Sequence, residues 1–465
     1  MKRSISLLIC FALIFALAAP HALAAQSAIS FVDDDGRQVN LAAPASRIIS
    51  LYSAHTENLY FLGAGDRLIG AHSTSTFPPE AAEIPRFDYQ GDPERVIAAN
   101  PDLVLIRPFI AKKAPDFVAA LEKAGIAVVS LYPEKLSQFD DYIRKLALLT
   151  GTSDHAEALL QDFHTRLDAI KTQTAAFEPK TRVFFESTET ELRTVTEDSM
   201  AGMALQLAGG ENVAAGASAV SEGSSIAAFG AEKILEHAED IDVYVSQRGA
   251  MNAGGDEHSI SIRPGFSAVK AVRDGRICLI NEKLVSSPSF RYLAGVTELA
   301  RHFYPAQMDS LTAYETDAPA TRRDFANIVF RARHMSTFVP SSSKYYETAH
   351  TGHTYGLFGD LTWRDPDFDT VETCVQAGFI GYNGERYNPD GPVTREDLAK
   401  TVFVIGDFPA KDQHLEILDL DQCANPRIAQ VLADGGVFEL EDGKFEPARA
   451  VTCREIVQAL ERIGS

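Results

Sequence analysis

The stretch from Ser153 to Phe177, SDHAEALLQDFHTRLDAIKTQTAAF, constrains the fold more than any other part of this chain. Its apolar residues Ala156, Leu159, Leu160, Phe163, Leu167 and Ile170 recur at helical spacing, which predicts a long amphipathic helix with one apolar face. Gly151 and Thr152 stop what precedes it, Ser153 or Asp154 can cap its free N–H groups, and Pro179 ends it. Such a helix spans about 30 Å, the width of a small domain. Similar α/β patterns lie on both sides. The helix therefore reads as a strut between two lobes, with a ligand cleft between them.

In the first lobe, residues 28–150, a hairpin signal surrounds Asp33-Asp34-Asp35-Gly36. Four short apolar runs follow: Arg47–Leu51, Leu68–Ala71, Leu103–Ile106 and Ala127–Leu131. Runs without polar alternation suit strands buried on both faces of a parallel sheet, with helices packed outside. Connecting helices are expected at Glu57–Leu62, Glu94–Ala99 and Pro115–Ala124. Ligands of such sheets bind beyond the carboxyl ends of the strands. Those ends supply Tyr52, His55, Phe77, Arg107 and Phe109.

The pattern restarts beyond residues 151–178. In the second lobe, residues 179–307, strands are expected at Arg182–Glu186, Val243–Ser246 and Arg276–Ile280, and a helix at Met200–Leu207. Glu94 leading to Asp102 is echoed by Glu232 leading to Asp240, each at an offset of 138 residues, which suggests duplicated lobes. A Gly-rich loop from Gln247 to Phe266 adds Arg248, Asn252 and His258 to the cleft side. No GxGxxG, GxxxxGK[ST] or GxSxG opens a helix after a strand, so nucleotide binding and serine hydrolysis are unsupported.

Composition limits the partners. The net charge of −21 and pI near 5.0 argue against nucleic acid and anionic membranes, which need clustered Lys and Arg. Residues 1–25 read as a cleaved signal peptide: Lys2 and Arg3, an apolar run from Ile5 to Ala19, and Ala22-Leu23-Ala24 before the cleavage point. Cys10 lies inside that run, not behind a small residue at its end, so no lipobox is present. An exported protein of the periplasm or cell envelope is expected. Cys278, Cys374, Cys423 and Cys453 remain, with no CxxC spacing; two disulfides in any of three pairings stay open, although Cys278 reads as a buried thiol.

Several stretches together resemble the class III solute-binding proteins of ABC importers, which capture vitamin B12, ferric siderophores and haem. They are Arg47-Ile48-Ile49-Ser50-Leu51, Thr56-Glu57 with Leu62-Gly63-Ala64-Gly65, Phe77-Pro78-Pro79-Glu80, and Glu94 through Val104. Ala208 to Val213 and Arg263 to Phe266, leading to Ala271–Arg276, continue the match in order. The resemblance implies two Rossmann-like lobes bridged by a rigid helix, a largely preformed cleft, and no permanent cofactor. It implies an ABC permease as partner, docked through one glutamate per lobe. Glu94 stands at the first position. The second falls near Leu284 to Ser287, where the chain has no acid and Glu282 is only close by.

Phe77 occupies a position where haem-binding members often carry tyrosine, and a phenyl ring cannot ligate iron. His55, His72 and His258 are too scattered in sequence to suggest a metal cage. An intact metal chelate fits better as the transported ligand. Arg107 or Arg248 would pair with its oxygens, and Tyr52, Phe77 and Phe109 would cover its apolar face.

Residues 310–465 carry a weaker repeat. Thr321-Arg322, Thr394-Arg395-Glu396 and Thr452-Cys453 each begin an amphipathic helix, spaced by 73 and 58 residues. They resemble S-layer homology repeats, which implies that Thr394, Arg395 and Glu396 help bind an anionic cell-wall polymer. A packing module or a protein-interaction domain are the alternatives. A non-enzymatic monomeric receptor is the leading expectation. A tetrapyrrole chelatase using His55 and His258, or an envelope-attached structural protein, are its rivals.

Overall fold

The computed structural model describes residues 29–249, 252, 256–340, 353–406 and 414–463. The expected signal peptide, with Cys10, lies outside them. Among the described residues no helix is long and apolar enough to cross a membrane.

A hairpin of β1 (Ile29–Val32) and β2 (Gln38–Leu41) precedes the first lobe. The lobe's parallel sheet contains β3 (Ile48–Ser50), β4 (Leu68–His72), β5 (Arg86–Phe87), β6 (Leu103–Ile106) and β7 (Ala127–Ser130), in the order β5-β4-β3-β6-β7. Every residue of β3 and β6 is buried, which is why their sequences show no polar alternation. The two-residue β5 carries too short a pattern to be legible in sequence.

The second lobe repeats this plan. Its strands are β8 (Thr181–Glu186), β10 (Gly210–Asn212), β12 (Val243–Arg248) and β13 (Ile277–Asn281), parallel in the order β10-β8-β12-β13. The short β9 (Thr194–Val195) and β11 (Ile226–Ala227) form a separate ribbon. The triplets β3-β6-β7 and β8-β12-β13 have the same connectivity. In both lobes the helix before the second member carries the echoed glutamate, Glu94 on Pro93–Ala98 and Glu232 on Ala231–Glu236.

Between the lobes runs one helix, Ser153–Ala175. No side chain caps its start; Gly151, at φ 65°, ends the preceding helix Phe139–Thr150 instead. Ala156, Leu160, Phe163 and Leu167 are buried in a single apolar core that also takes Ile48 and Leu146 from the first lobe and Val183 and Leu299 from the second. Burying side chains of this size contributes about 1.5–3 kcal/mol each. The strut is thus part of one shared core.

The C-terminal third closes on itself. Helices Arg322–Ala332, Arg395–Ile405 and Cys453–Arg462 each start with a reciprocal capping box, Thr321 with Asp324, Thr394 with Asp397 and Thr452 with Glu455. Thr321 bridges Pro392, Thr394 bridges Ala450 and Thr452 bridges Pro319, so the three helix starts form a cyclic, pseudo-threefold joint. Helices Phe368–Gln376 and Pro426–Asp434 fill the outer positions. All four cysteines of the described chain are unpaired and buried, and none of the disulfides left open by the sequence is formed.

Candidate functional site

In sheets of this topology the crevice opens where strand order reverses. In the first lobe that point lies between β3 and β6, whose ends present Tyr52 and Arg107. The Arg107 guanidinium lies 4.7 Å from the Tyr52 ring centre, 4.9 Å from Phe109 and 6.0 Å from Tyr132. It makes no ion pair among the described residues. Phe109 is 45% exposed, and with Arg107 and Tyr132 it lines a cavity of about 630 Å³ whose wall also carries Lys145 and the acids Asp34, Glu134 and Asp141. Burial raises the Tyr52 and Tyr132 phenols, so both stay neutral hydrogen-bonding groups.

In the second lobe the reversal lies between β8 and β12, whose ends carry Glu189, Arg248 and Asn252. Asn252 is buried; its Oδ1 accepts the Glu189 backbone N–H, while its Nδ2 has no partner among the described residues. Arg248 Nη1 is likewise buried and unpartnered, and Arg248 forms no ion pair among the described residues. Buried N–H donors without acceptors cost about 1–3 kcal/mol each, and an oxygen-bearing ligand would relieve that cost. Beneath them Glu186 accepts from Tyr244 (2.5 Å) and Ser246 (3.0 Å) and pairs with Arg263, so this charge is internally satisfied.

The lobes also touch directly. Lys283 Nζ donates to Thr76 Oγ1 at 2.8 Å, and Asn58 Nδ2 donates to the Pro288 carbonyl at 2.8 Å. At the rim, Lys135 and Asp198 form an exposed ion pair at 2.6 Å.

Two expected cleft residues are corrected. His55 has no exposure at all. Its Nε2 faces the Ile106 carbonyl at 3.0 Å and must be the donor, so Nδ1 accepts from Tyr142 at 2.8 Å. Both nitrogens are thereby occupied, which removes His55 as a ligand or base and with it the chelatase pairing. Phe77 is 3% exposed and belongs to the core of the C-terminal module, against Trp363 at 5.8 Å. It does not face the cleft. His258 is exposed on Glu257–Ser261, and His72 bonds Thr74 at 2.8 Å. Among the described residues no group of three or more His, Cys, Asp or Glu could hold a metal ion.

Glu94 is exposed at the start of its helix, whose free N–H is capped by Asp92. The stretch expected to hold its second-lobe counterpart is unsuited, because Leu284 and Val285 are buried and the Glu282 carboxyl lies against Gly249. Glu232 occupies the second lobe's counterpart of the Glu94 helix start. It is exposed. The 138-residue echo contained that signal.

The Thr394-Arg395-Glu396 segment is less open than expected, although Arg395 still lines a smaller cavity of about 200 Å³ between the second and third repeats. Thr394 is spent on its capping box; Arg395 is 5% exposed over Phe438 and Phe445 and donates to the Glu439 carbonyl; Glu396 accepts the Asn425 N–H at 2.9 Å. All three join one repeat to the next. An open groove of about 780 Å³ lies instead between the first two repeats, lined by Arg322, Tyr382, Arg386 and Lys400 among others.

Residues 48–284 match the family described as periplasmic binding protein, and residues 358–399 match the S-layer homology domain. Over 264 residues the chain is 27% identical to the vitamin B12-binding protein of Vibrio vulnificus (strain YJ016), covering 56% of this chain and 91% of the relative. It is 26% identical over 280 residues to the uncharacterized ABC transporter substrate-binding lipoprotein YvrC of Bacillus subtilis (strain 168), covering 59% and 85%. Among solved structures, the periplasmic heme-binding protein RhuT from Roseiflexus sp. RS-1 in apo form aligns with a TM-score of 0.49 at 23% identity, over 57% of this chain and 99% of that one.

Proposed function

Because this chain belongs to the periplasmic binding protein family, we propose that it is an exported receptor that captures an anionic metal chelate and hands it to an ABC permease. One observation carries the reading. Arg107, ringed by three aromatic side chains, forms no ion pair among the described residues of a chain whose net charge is −21. A guanidinium left without an ion pair in so acidic a protein suits an anionic ligand. Arg248 and Asn252 offer further donors from the opposite lobe. The flat aromatic faces of Tyr52 and Phe109 suit a chelate's apolar periphery. Because Arg107, Arg248 and Asn252 are all hydrogen-bond donors, the chelate would be gripped by its outer oxygens.

Delivery calls for a docking face. Glu94 and Glu232, one per lobe at equivalent helix starts, would meet cationic residues of the permease. The protein itself performs no chemistry in this reading.

A titration tests it. The mature protein is mixed with a ferric tris-catecholate, a ferric hydroxamate, haem and cyanocobalamin while fluorescence and the visible spectrum are followed. Saturable binding without turnover, tightest for the anionic chelates, is expected. Preference for uncharged cyanocobalamin would remove the anionic ligand but keep the receptor; binding to none would remove both.

A second role is supported by the S-layer homology match and by the groove between the first two repeats. Arg386 and Lys400 on its walls would hold an anionic wall polymer, anchoring the receptor to the envelope. Co-sedimentation of the protein with purified cell-wall sacculi, before and after the polymer is stripped, tests that anchoring.

A further inference from the structure

Three parts of the chain meet at Arg291. Its guanidinium lies 3.9 Å from the ring centre of Phe77, a first-lobe residue, and 4.0 Å from Asp369 of the C-terminal module. Glu57, from the first-lobe helix Ser53–Phe61, is buried nearby. Burial raises its carboxyl pKa, while the positive charges of Arg291 and Lys283 of the second lobe act to lower it. Two basic and two acidic side chains thus meet only when all three parts are assembled.

An apolar path runs alongside. Phe163 of the bridging helix packs on Phe290 (5.8 Å between ring centres), Phe290 on Phe61 (5.4 Å), and Phe61 on Trp363 of the C-terminal module (5.2 Å). Trp363 Nε1 then donates to Glu80 Oε1 of the first lobe at 3.0 Å. The second lobe is gripped separately: Thr337 N–H donates to Glu298 Oε2 at 3.1 Å, and Arg301 Nη1 donates to the Met335 carbonyl at 3.0 Å.

From this packing we infer that the C-terminal module is a second strut across the lobes, and that it fixes their relative angle together with the bridging helix. The physical reason is the cost of separating the parts. Rotation of one lobe would slide Arg291 off Phe77 and away from Asp369, leaving charges uncompensated in an apolar setting, and would expose Phe77 and Trp363. Such motion must therefore wait for the module to undock. Glu94 and Glu232 stay exposed among the described residues, so bracing leaves both helix tips uncovered. The inference rests on packing alone and is independent of which chelate is bound.

Inter-lobe distances test it in the full chain. Spin labels at Lys123→Cys and Glu236→Cys, both exposed positions, report across the lobes, and the native cysteines are buried away from the reagent. A single narrow distance distribution is expected. Adding Arg291→Gln or Asp369→Asn should broaden it or add a second population, with the helical signal in circular dichroism unchanged. A distribution as narrow in both variants would overturn the brace. Hydrogen exchange on the unsubstituted protein covers the case in which the variants fail to fold. The slowest amides of residues 53–61, 292–303 and 368–376 should then share one opening, with protection within about threefold. Opening of 368–376 while the lobe helices stay protected would overturn it equally.

Discussion

The guanidinium of Arg107 sits 4.7 Å from the ring centre of Tyr52, at the point where the first lobe's strand order reverses. The cation comes from the end of β6 and the ring from the end of β3, so the sheet itself sets their spacing. A charge placed this way needs no rearrangement to meet a ligand.

Arg107→Ala should therefore weaken chelate binding by about 10- to 100-fold, the range of a charge-assisted hydrogen bond. Arg107→Lys should recover only part of that, because an ammonium lacks the planar fork that stacks on rings and pairs with two oxygens. Isothermal titration with the tightest-binding ferric chelate measures both. Unchanged affinity in Arg107→Ala would exclude this residue from the site.

Glu94→Ala and Glu232→Ala should each leave chelate affinity within about twofold of the unsubstituted protein, since both lie on exposed helix starts away from the strand ends. Uptake through the reconstituted permease should fall in each, and further in the double variant. An uptake rate unaffected by Glu232→Ala would return the second docking point to an unknown position.

Acid should destabilise the protein through His55. Burial lowers its pKa from 6.5 to about 4, against the Ile106 carbonyl contact that acts to raise it. Between those values the unfolded chain binds a proton that the folded chain refuses, so this contribution to stability is present above pH 6.5 and is lost as pH falls towards 4. The whole effect is about 3 kcal/mol. Urea denaturation at pH 7 and pH 4.5 should show a smaller loss in His55→Gln than in the unsubstituted protein. Equal losses would mean that His55 takes up its proton normally in the fold.

Lys400 and Arg395 should separate binding from packing in the C-terminal module. Lys400 lines the groove and is half exposed, so Lys400→Ala should lower retention on purified sacculi without shifting the melting temperature. Arg395→Ala removes a buried guanidinium from between two phenyl rings and should lower the melting temperature by several degrees. Melting curves and sedimentation assays on both variants check this. A stable Arg395→Ala that no longer binds sacculi would restore Arg395 as a polymer contact.

Phe163→Ala should cost about 3–5 kcal/mol, because the ring is buried among Phe139 and Phe290 at the centre of the shared core. Urea unfolding measures it, and a loss below about 1 kcal/mol would mean that the bridging helix does not carry the core.

The bridging helix, the fully apolar strands and the capping boxes were legible in the chain because each is a local pattern. Period 3.6 over Ser153–Ala175, unbroken apolar runs at β3 and β6, and Thr-x-x-Asp before a helix all act within a few residues of themselves. The echo of Glu94 in Glu232 was equally present. What remained hidden was the environment of individual side chains. Phe77 follows a strand end and reads as a cleft aromatic, yet it is buried by Trp363, far along the chain. His55 also follows a strand end, and Tyr142 with the Ile106 carbonyl removes it from reach. Arg395 lies in a surface-binding motif and is covered by the next repeat. Secondary structure follows from neighbours in sequence, whereas burial follows from neighbours in space, and only the assembled lobes and C-terminal module supply those.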